Sequence, residues 1–280
     1  MTQARRILFF DIDGTLAMPG DDPSEAVVSA MRSARRKGHL LILSTGRTEE
    51  MVPAAVEQIG YDGYIYSAGG RSVVNGVELS SHTMEPARVR AIVAALQDVE
   101  GCFFTMECRQ GSYHSDVSAL NLTDLGDGQG SSELLRLVQL MKDTPARLIS
   151  RYQGEDVYKI SFFCTRRAYM DKAEAVLSPL GKVVRFEGLL AVSEVCAGEI
   201  TAPGIDKGRS LREICAYFGA PVSQSVAFGD SMNDAEMLTA AGIGVAMGNA
   251  EQRLKALSDR VCERCQEDGV AKELERLGLC

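Results

Sequence analysis

The sequence predicts an α/β fold in which a doubly wound parallel sheet is interrupted by an inserted α+β unit. Three observations lead to this expectation. Short apolar runs alternate with helical periodicities through the first eighty residues, the pattern then turns to hairpins and antiparallel features, and the alternation returns after about residue 195. Parallel strands need crossover connections, so a βαβαβ rhythm implies helices on both faces of one sheet.

The elements follow in order. Ile7 to Phe10 is a four-residue apolar run of the kind a doubly buried strand shows. Ser24, after Pro23, opens a helical stretch to Lys37, and Leu40 to Leu43 forms the second strand run. A helical segment from about Thr48 to Ile59 leads to a third strand at Tyr64 to Ser67. Asn75-Gly76, flanked by Val73-Val74 and Val77 to Leu79, is a strong hairpin signal. Helices are then expected near Pro86–Gln97, Ser131–Lys142 and Arg166–Leu177, with strands near Cys102–Glu107, Val157–Cys164 and Val183–Phe186. The returning pattern gives helices at Lys207–Phe218, Asn233–Ala241 and Gly269–Leu277, with strands at Ser225–Phe228 and Ile243–Met247. These runs divide the chain into a core from residues 1–82 and 193–280 and an insertion from 83–192.

The 280 residues carry 30 Lys plus Arg against 38 Asp plus Glu, a net charge of -8. An acidic surface repels phosphate backbones and acidic lipids, which argues against a nucleic-acid or membrane-surface partner. The apolar runs fall far short of a membrane span, and the run after Arg5 and Arg6 meets Asp11 too soon for a signal peptide, so a cytoplasmic location is expected. Eight Cys scattered over this length suit free thiols in a reducing compartment. Cys262 and Cys265 make one CxxC without the second pair or nearby His that a zinc set needs.

Several glycine-containing segments read as ordinary structure. Gly126-Asp127-Gly128-Gln129-Gly130 lacks the flanking strand and Lys-Ser/Thr of a phosphate loop and reads as a mobile loop. Gly242 to Gly248 lacks the glycine spacing of a dinucleotide loop and reads as a strand with tight turns. Asn121-Leu122-Thr123 has the form of a glycosylation sequon but, without a secretory signal, reads as a loop.

The chemistry is expected where strand runs end in polar residues. Phe9-Phe10-Asp11-Ile12-Asp13, Ile42-Leu43-Ser44-Thr45-Gly46-Arg47 and Ala227-Phe228-Gly229-Asp230 all do so. Ligands of open α/β sheets bind beyond the carboxyl ends of the strands, so these residues are expected at one edge. Asp11, Asp13, Asp230 and Asp234, with Asn233 among them, would gather negative charge there and require a cation. Hard oxygen donors with no His or Cys select Mg²⁺.

These segments resemble the haloacid dehalogenase (HAD) superfamily. Asp11-Ile12-Asp13-Gly14-Thr15 matches its DxDGT signature, and Gly229-Asp230-Ser231-Met232-Asn233-Asp234 its GDxxND motif. Thr45-Gly46-Arg47 and Lys207 supply the other two motifs in order. The likeness is closest to Cof-type phosphatases, and it extends through Gly244 to Ala250 and Glu267 to Ala271. It implies a Rossmann-like (HAD-like) core with an inserted α/β cap.

It further implies roles. Asp11 would be the nucleophile that forms an aspartyl phosphate, and Asp13 the acid that protonates the leaving oxygen and then activates water. Mg²⁺ would be held by the Asp11 and Asp230 carboxylates and the Asp13 carbonyl, with Asp234 in support. Thr45, Gly46, Lys207 and Asn233 would bind the phosphate. Substrate contacts are expected from Arg47 and, on the cap, from Glu107, Arg109, His114 and Lys159, although charged residues on sheets are usually solvated. One departure is Ala68-Gly69-Gly70, where Cof-type proteins commonly have Asn-Gly. The expected activity is Mg²⁺-dependent hydrolysis of a small phosphorylated metabolite, such as a sugar phosphate. The alternatives are a capped phosphomutase or phosphotransferase, or a non-catalytic phospho-ligand sensor.

Overall fold

A computed structural model describes residues 5–109, 111–115, 147–186 and 196–280. The chain divides into two compact units, one of Met1–Arg47, Met51–Ser81 and Asp206–Cys280, the other of Thr48–Glu50 and His82–Ile205. The helix expected at Ser131–Lys142, the glycine-rich loop and the sequon lie outside the described residues. Among the described residues, no helix is long and apolar enough to cross a membrane.

The first unit is built on a sheet whose order is β14-β13-β12-β1-β2-β3-β4-β5. Its central strands are β1 (Ile7–Phe10), β2 (Leu40–Ser44), β3 (Gly63–Tyr66), β12 (Ser225–Gly229) and β13 (Ile243–Ala246), all parallel. β4 (Arg71–Val74) and β5 (Val77–Ser81) complete one edge as an antiparallel hairpin, and β14 (Arg260–Val261) closes the other.

Alternation along β1 shows why the sheet is buried on both faces. Leu8 and Phe10 enter one core with α1 (Glu25–Arg36) and α7 (Gly269–Arg276). Ile7 and Phe9 enter the other with α5 (Lys207–Tyr217) and α6 (Ala235–Ala240). Phe10 stacks on Phe228 of the neighbouring strand at 5.1 Å between ring centroids. Each such side chain contributes about 1.5–3 kcal/mol on burial, which fixes strand order and register beneath the polar strand ends.

The second unit holds a mostly antiparallel sheet of order β10-β11-β9-β6-β7-β8. Its strands are β6 (Cys102–Cys108), β7 (Gly111–His114), β8 (Arg147–Leu148), β9 (Val157–Cys164), β10 (Lys182–Phe186) and β11 (Cys196–Thr201). One face is covered by α3 (Pro86–Gln97) and α4 (Arg167–Leu177), whose Ile92, Leu96, Met170 and Leu177 pack on Phe104, Met106, Ile160 and Phe162.

Two expectations are corrected. The core does not resume at 193, because Cys196–Thr201 pairs with β9 and β10, and the return comes at Asp206. Gly198 and Glu199 interrupt this strand with residues that have low strand preference, which hid it in the sequence. The helix expected over Thr48–Ile59 is broken into a 3₁₀ turn at Glu49–Met51 and a short α2 at Ala54–Glu57. Pro53 separates them, since it has no backbone N–H to continue a helix.

Candidate functional site

β1 lies between β2 and β12, so its C-terminal end is flanked by theirs. The amide of Asp11 donates to the Phe228 carbonyl at 3.1 Å, and that of Thr45 to Ile65 at 2.8 Å, so strand pairing continues into the polar residues. The structure thereby brings Asp11, Thr45 and Asp230 to one sheet edge, as the strand runs imply. All three are buried.

Lys207 binds this cluster together. It is the first residue of α5, whose N-cap is Asp206, and its side chain is fully buried. Its Nζ lies 2.7 Å from Asp11 Oδ1 and 2.7 Å from Asp234 Oδ1. Burial alone would favour the neutral amine. The two carboxylates outweigh it and hold the ammonium pKa well above the ordinary lysine value.

Asp234 is committed on both oxygens. Its Oδ2 accepts from the backbone amides of Asp230 and Ser231 at 3.1 and 3.2 Å, closing the turn after β12. Asp11, Asp230 and Asp234 can each place one carboxylate oxygen within 4.8 Å of the others. The donors are buried hard oxygens, which fit Mg²⁺. Asp234 receives Lys207 and two amides, Asp11 receives the same ammonium, and Asp230 receives the Asn249 amide, so the carboxylates are oriented before any cation arrives.

Asn249 is a support that the reading of single residues passed over. Its amide donates to the Gly14 carbonyl at 2.8 Å and to Asp230 Oδ2 at 3.3 Å, while its oxygen accepts from the Cys265 amide at 2.8 Å. It thus ties the loop after β1 to the loop after β12. The only sequence signal was its place in the Gly244 to Ala250 segment.

The remaining core residues are arranged by hydrogen bonds. Asn233 Oδ1 accepts from Ser231 Oγ at 2.7 Å, and Thr45 Oγ1 accepts from the Arg47 amide at 3.0 Å. Gly46 is buried in the turn between Thr45 and Arg47. Arg47, expected at the substrate, grips Asp13: Nε lies 2.8 Å from Oδ2 and Nη2 2.7 Å from Oδ1.

In the second unit, Glu107, His114 and Lys159 share the sheet face opposite α3 and α4, whereas Arg109 is exposed in the β6–β7 turn. The expectation of a solvated face is corrected. Lys159 and Glu107 are fully buried, with Lys159 Nζ 2.8 Å from Glu199 Oε2 and 3.5 Å from Glu107 Oε1. Ser161 Oγ donates to Glu107 Oε1 at 2.7 Å. His114 Nδ1 is 2.9 Å from Thr105 Oγ1, and burial depresses its pKa with Glu107 opposing the shift. Glu199 was missed because its strand was missed. Cys262 and Cys265 are buried thiols, each pushed up to about 12 chiefly by desolvation.

Known proteins are similar to this chain over nearly its whole length. The phosphatase YkrA of Bacillus subtilis, itself called putative, is 27% identical over 279 residues, covering 98% of each chain. An HMP-PP phosphatase of Cronobacter sakazakii is 26% identical over 273 residues, covering 96% of this chain and 94% of its own. Among solved structures, the HAD subclass IIB sugar phosphatase BT4131 superposes with a TM-score of 0.80 at 24% identity, over 98% of this chain and 100% of the other. Residues 8–274, a span that includes Asp11, Lys207, Asp230 and Asp234, match the haloacid dehalogenase-like hydrolase family, and the chain belongs to that family.

Proposed function

We propose that this protein is a Mg²⁺-dependent phosphatase that hydrolyses small phosphorylated metabolites, sugar phosphates foremost, through a phosphoaspartate on Asp11. The observation that carries the reading is the Lys207 ammonium held between Asp11 and Asp234 at 2.7 Å from each, inside a carboxylate cluster able to take a hard cation. Eight free thiols suit the reducing cytoplasm as its place of action.

Charge sets the problem that the site must solve. A carboxylate about 4 Å from one phosphate charge is repelled by about 4 kcal/mol at an effective dielectric of 20. Lys207 offsets part of this from the protein side, as a fixed point charge beside the attacking oxygen. Mg²⁺ held by Asp11 and Asp230 supplies the rest when bound, through neutralisation of charge on the transferring group.

In the first step an Asp11 oxygen forms the bond to phosphorus as the ester P–O bond breaks, and the departing oxygen takes the Asp13 proton. In the second, water forms the new P–O bond, the Asp11–phosphorus bond breaks, and the Asp13 carboxylate takes the proton from water. Thr45, the Gly46 amide and Asn233 hold the phosphoryl oxygens while charge redistributes.

The test is hydrolysis of p-nitrophenyl phosphate by purified protein. Activity should need Mg²⁺, vanish with chelator and return on re-addition, and Asp11→Asn should abolish both turnover and acid-stable phosphate labelling of the protein. Full activity of that variant would overturn the nucleophile assignment. A panel of phosphorylated sugars and other small esters then ranks substrates by kcat/KM.

A further inference from the structure

Arg47 is fixed at every end. Its guanidinium forks onto both Asp13 oxygens, and Nη1 donates to the Met51 carbonyl at 3.0 Å. Its amide donates to Thr45 Oγ1, and its carbonyl accepts from the Ser67 amide at 2.9 Å. The pair is largely shielded from water, with 13% and 3% of the two side chains exposed. A loosely held arginine waiting for an anion would not be tied on three sides by its own protein.

We propose that Arg47 is the positioning residue of Asp13: its guanidinium sets the plane of the carboxyl that exchanges the proton with the leaving oxygen, and it does so without contacting the substrate. This rests on the role given to Asp13 above. The chemistry allows it, because each carboxylate oxygen has two lone pairs and a bidentate arginine occupies only one on each. A lone pair therefore remains for the transferred proton while the fork holds the group. Lysine has one point of attachment and cannot fix that plane.

The consequence is a specific kinetic signature. The value of kcat/KM reports on steps through departure of the leaving group, and a poor leaving group needs its proton whereas p-nitrophenolate does not. A misplaced Asp13 should therefore hurt poor leaving groups selectively. General acid catalysis contributes about 10²–10⁴-fold in favourable cases. We expect Arg47→Met to raise the ratio of kcat/KM for p-nitrophenyl over phenyl phosphate by about tenfold or more.

The experiment measures kcat/KM over para-substituted phenyl phosphates, from p-nitro to p-methoxy, with Mg²⁺ present. Arg47→Met and Arg47→Lys should both steepen the dependence on leaving group, and retained p-nitrophenyl phosphate turnover shows that they fold. Asp13→Asn should steepen it as well, and Asp13→Asn with Arg47→Met should add nothing further. A uniform loss across the series in the Arg47 variants, or full recovery by Arg47→Lys, would overturn the proposal and place the guanidinium on the substrate. A flat series in Asp13→Asn would instead overturn the acid role of Asp13 itself.

Discussion

Gly229 lies directly against Asp234, so that a Cβ added to the glycine would stand 2.5 Å from Asp234 Oδ2. The close approach lets that oxygen accept from two backbone amides and leaves the other for Lys207. Gly229→Ala should displace Asp234 and with it the ammonium beside Asp11. Overpacking of this kind costs about 1–3 kcal/mol. Urea denaturation should register that loss, and phosphatase activity should fall at least tenfold because the charge beside Asp11 moves.

Lys207→Met removes the sole cation seen between Asp11 and Asp234 among the described residues. Breaking one partner out of a buried ion pair typically costs about 3–5 kcal/mol, since a carboxylate is left without its counter-charge. The midpoint of chemical denaturation should drop accordingly, and activity should be lost. If Asp11 and Asp230 hold Mg²⁺, added Mg²⁺ should raise the Tm of wild type and not that of Asp230→Asn.

Ala68 adopts a left-handed backbone conformation, with φ 56° and ψ 34°, between Ser67 and Gly69, which also have positive φ. Its amide donates to the Thr45 carbonyl at 3.0 Å, so the turn braces the loop that follows β2. An L-residue pays about 1–2 kcal/mol for this conformation, whereas glycine does not. Ala68→Gly should therefore raise stability by about 0.5–1 kcal/mol after the extra chain entropy of glycine is counted, measurable as a higher Tm. A decrease would mean that the methyl group packs more favourably than its backbone strain costs.

The same turn shows what was legible in the sequence and what was not. Apolar runs at Ile7–Phe10, Leu40–Leu43 and Ser225–Phe228 announced doubly buried strands, and the polar residues that end them announced the site edge. Residue types at those ends were enough to suggest a hard cation. Partner choice was not legible, because the pairing of Arg47 with Asp13 joins two loops 34 residues apart in sequence. Lys159 and Glu107 read as solvated for the same reason: alternation on a sheet tells which residues share a face, and not what covers it. The Ala68 departure was visible, but its strained φ follows from the hydrogen bonds that the turn must make.

All eight cysteines are free, and six of them are buried. Desolvation pushes Cys108, Cys262 and Cys265 up to about 12 and Cys215 to about 11, so these groups stay as unreactive thiols at neutral pH. Native protein should therefore react rapidly with Ellman's reagent at no more than the two half-buried positions, Cys102 and Cys280. The denatured protein should release eight equivalents. A lower count in denaturant without reductant would show a disulfide and contradict the free-thiol state.

Acid should destabilise the first unit through His39. The ring is buried, its Nδ1 accepts from the Arg6 amide at 3.0 Å, and the same contact joins the start of β1 to the start of β2. Burial, followed by the nearby charges of Lys37 and Arg6, lowers its pKa below the ordinary histidine value. The unfolded chain then binds the proton more readily, at about pH 6.5. Stability from this group is full above that pH and declines as pH falls from it toward the lower folded-state pKa. Wild-type Tm should drop between pH 7 and 5, whereas His39→Asn, less stable at pH 7, should show a flatter dependence over that interval. An unchanged slope in the variant would assign the acid sensitivity to other groups, with buried His114 the next to test by the same substitution.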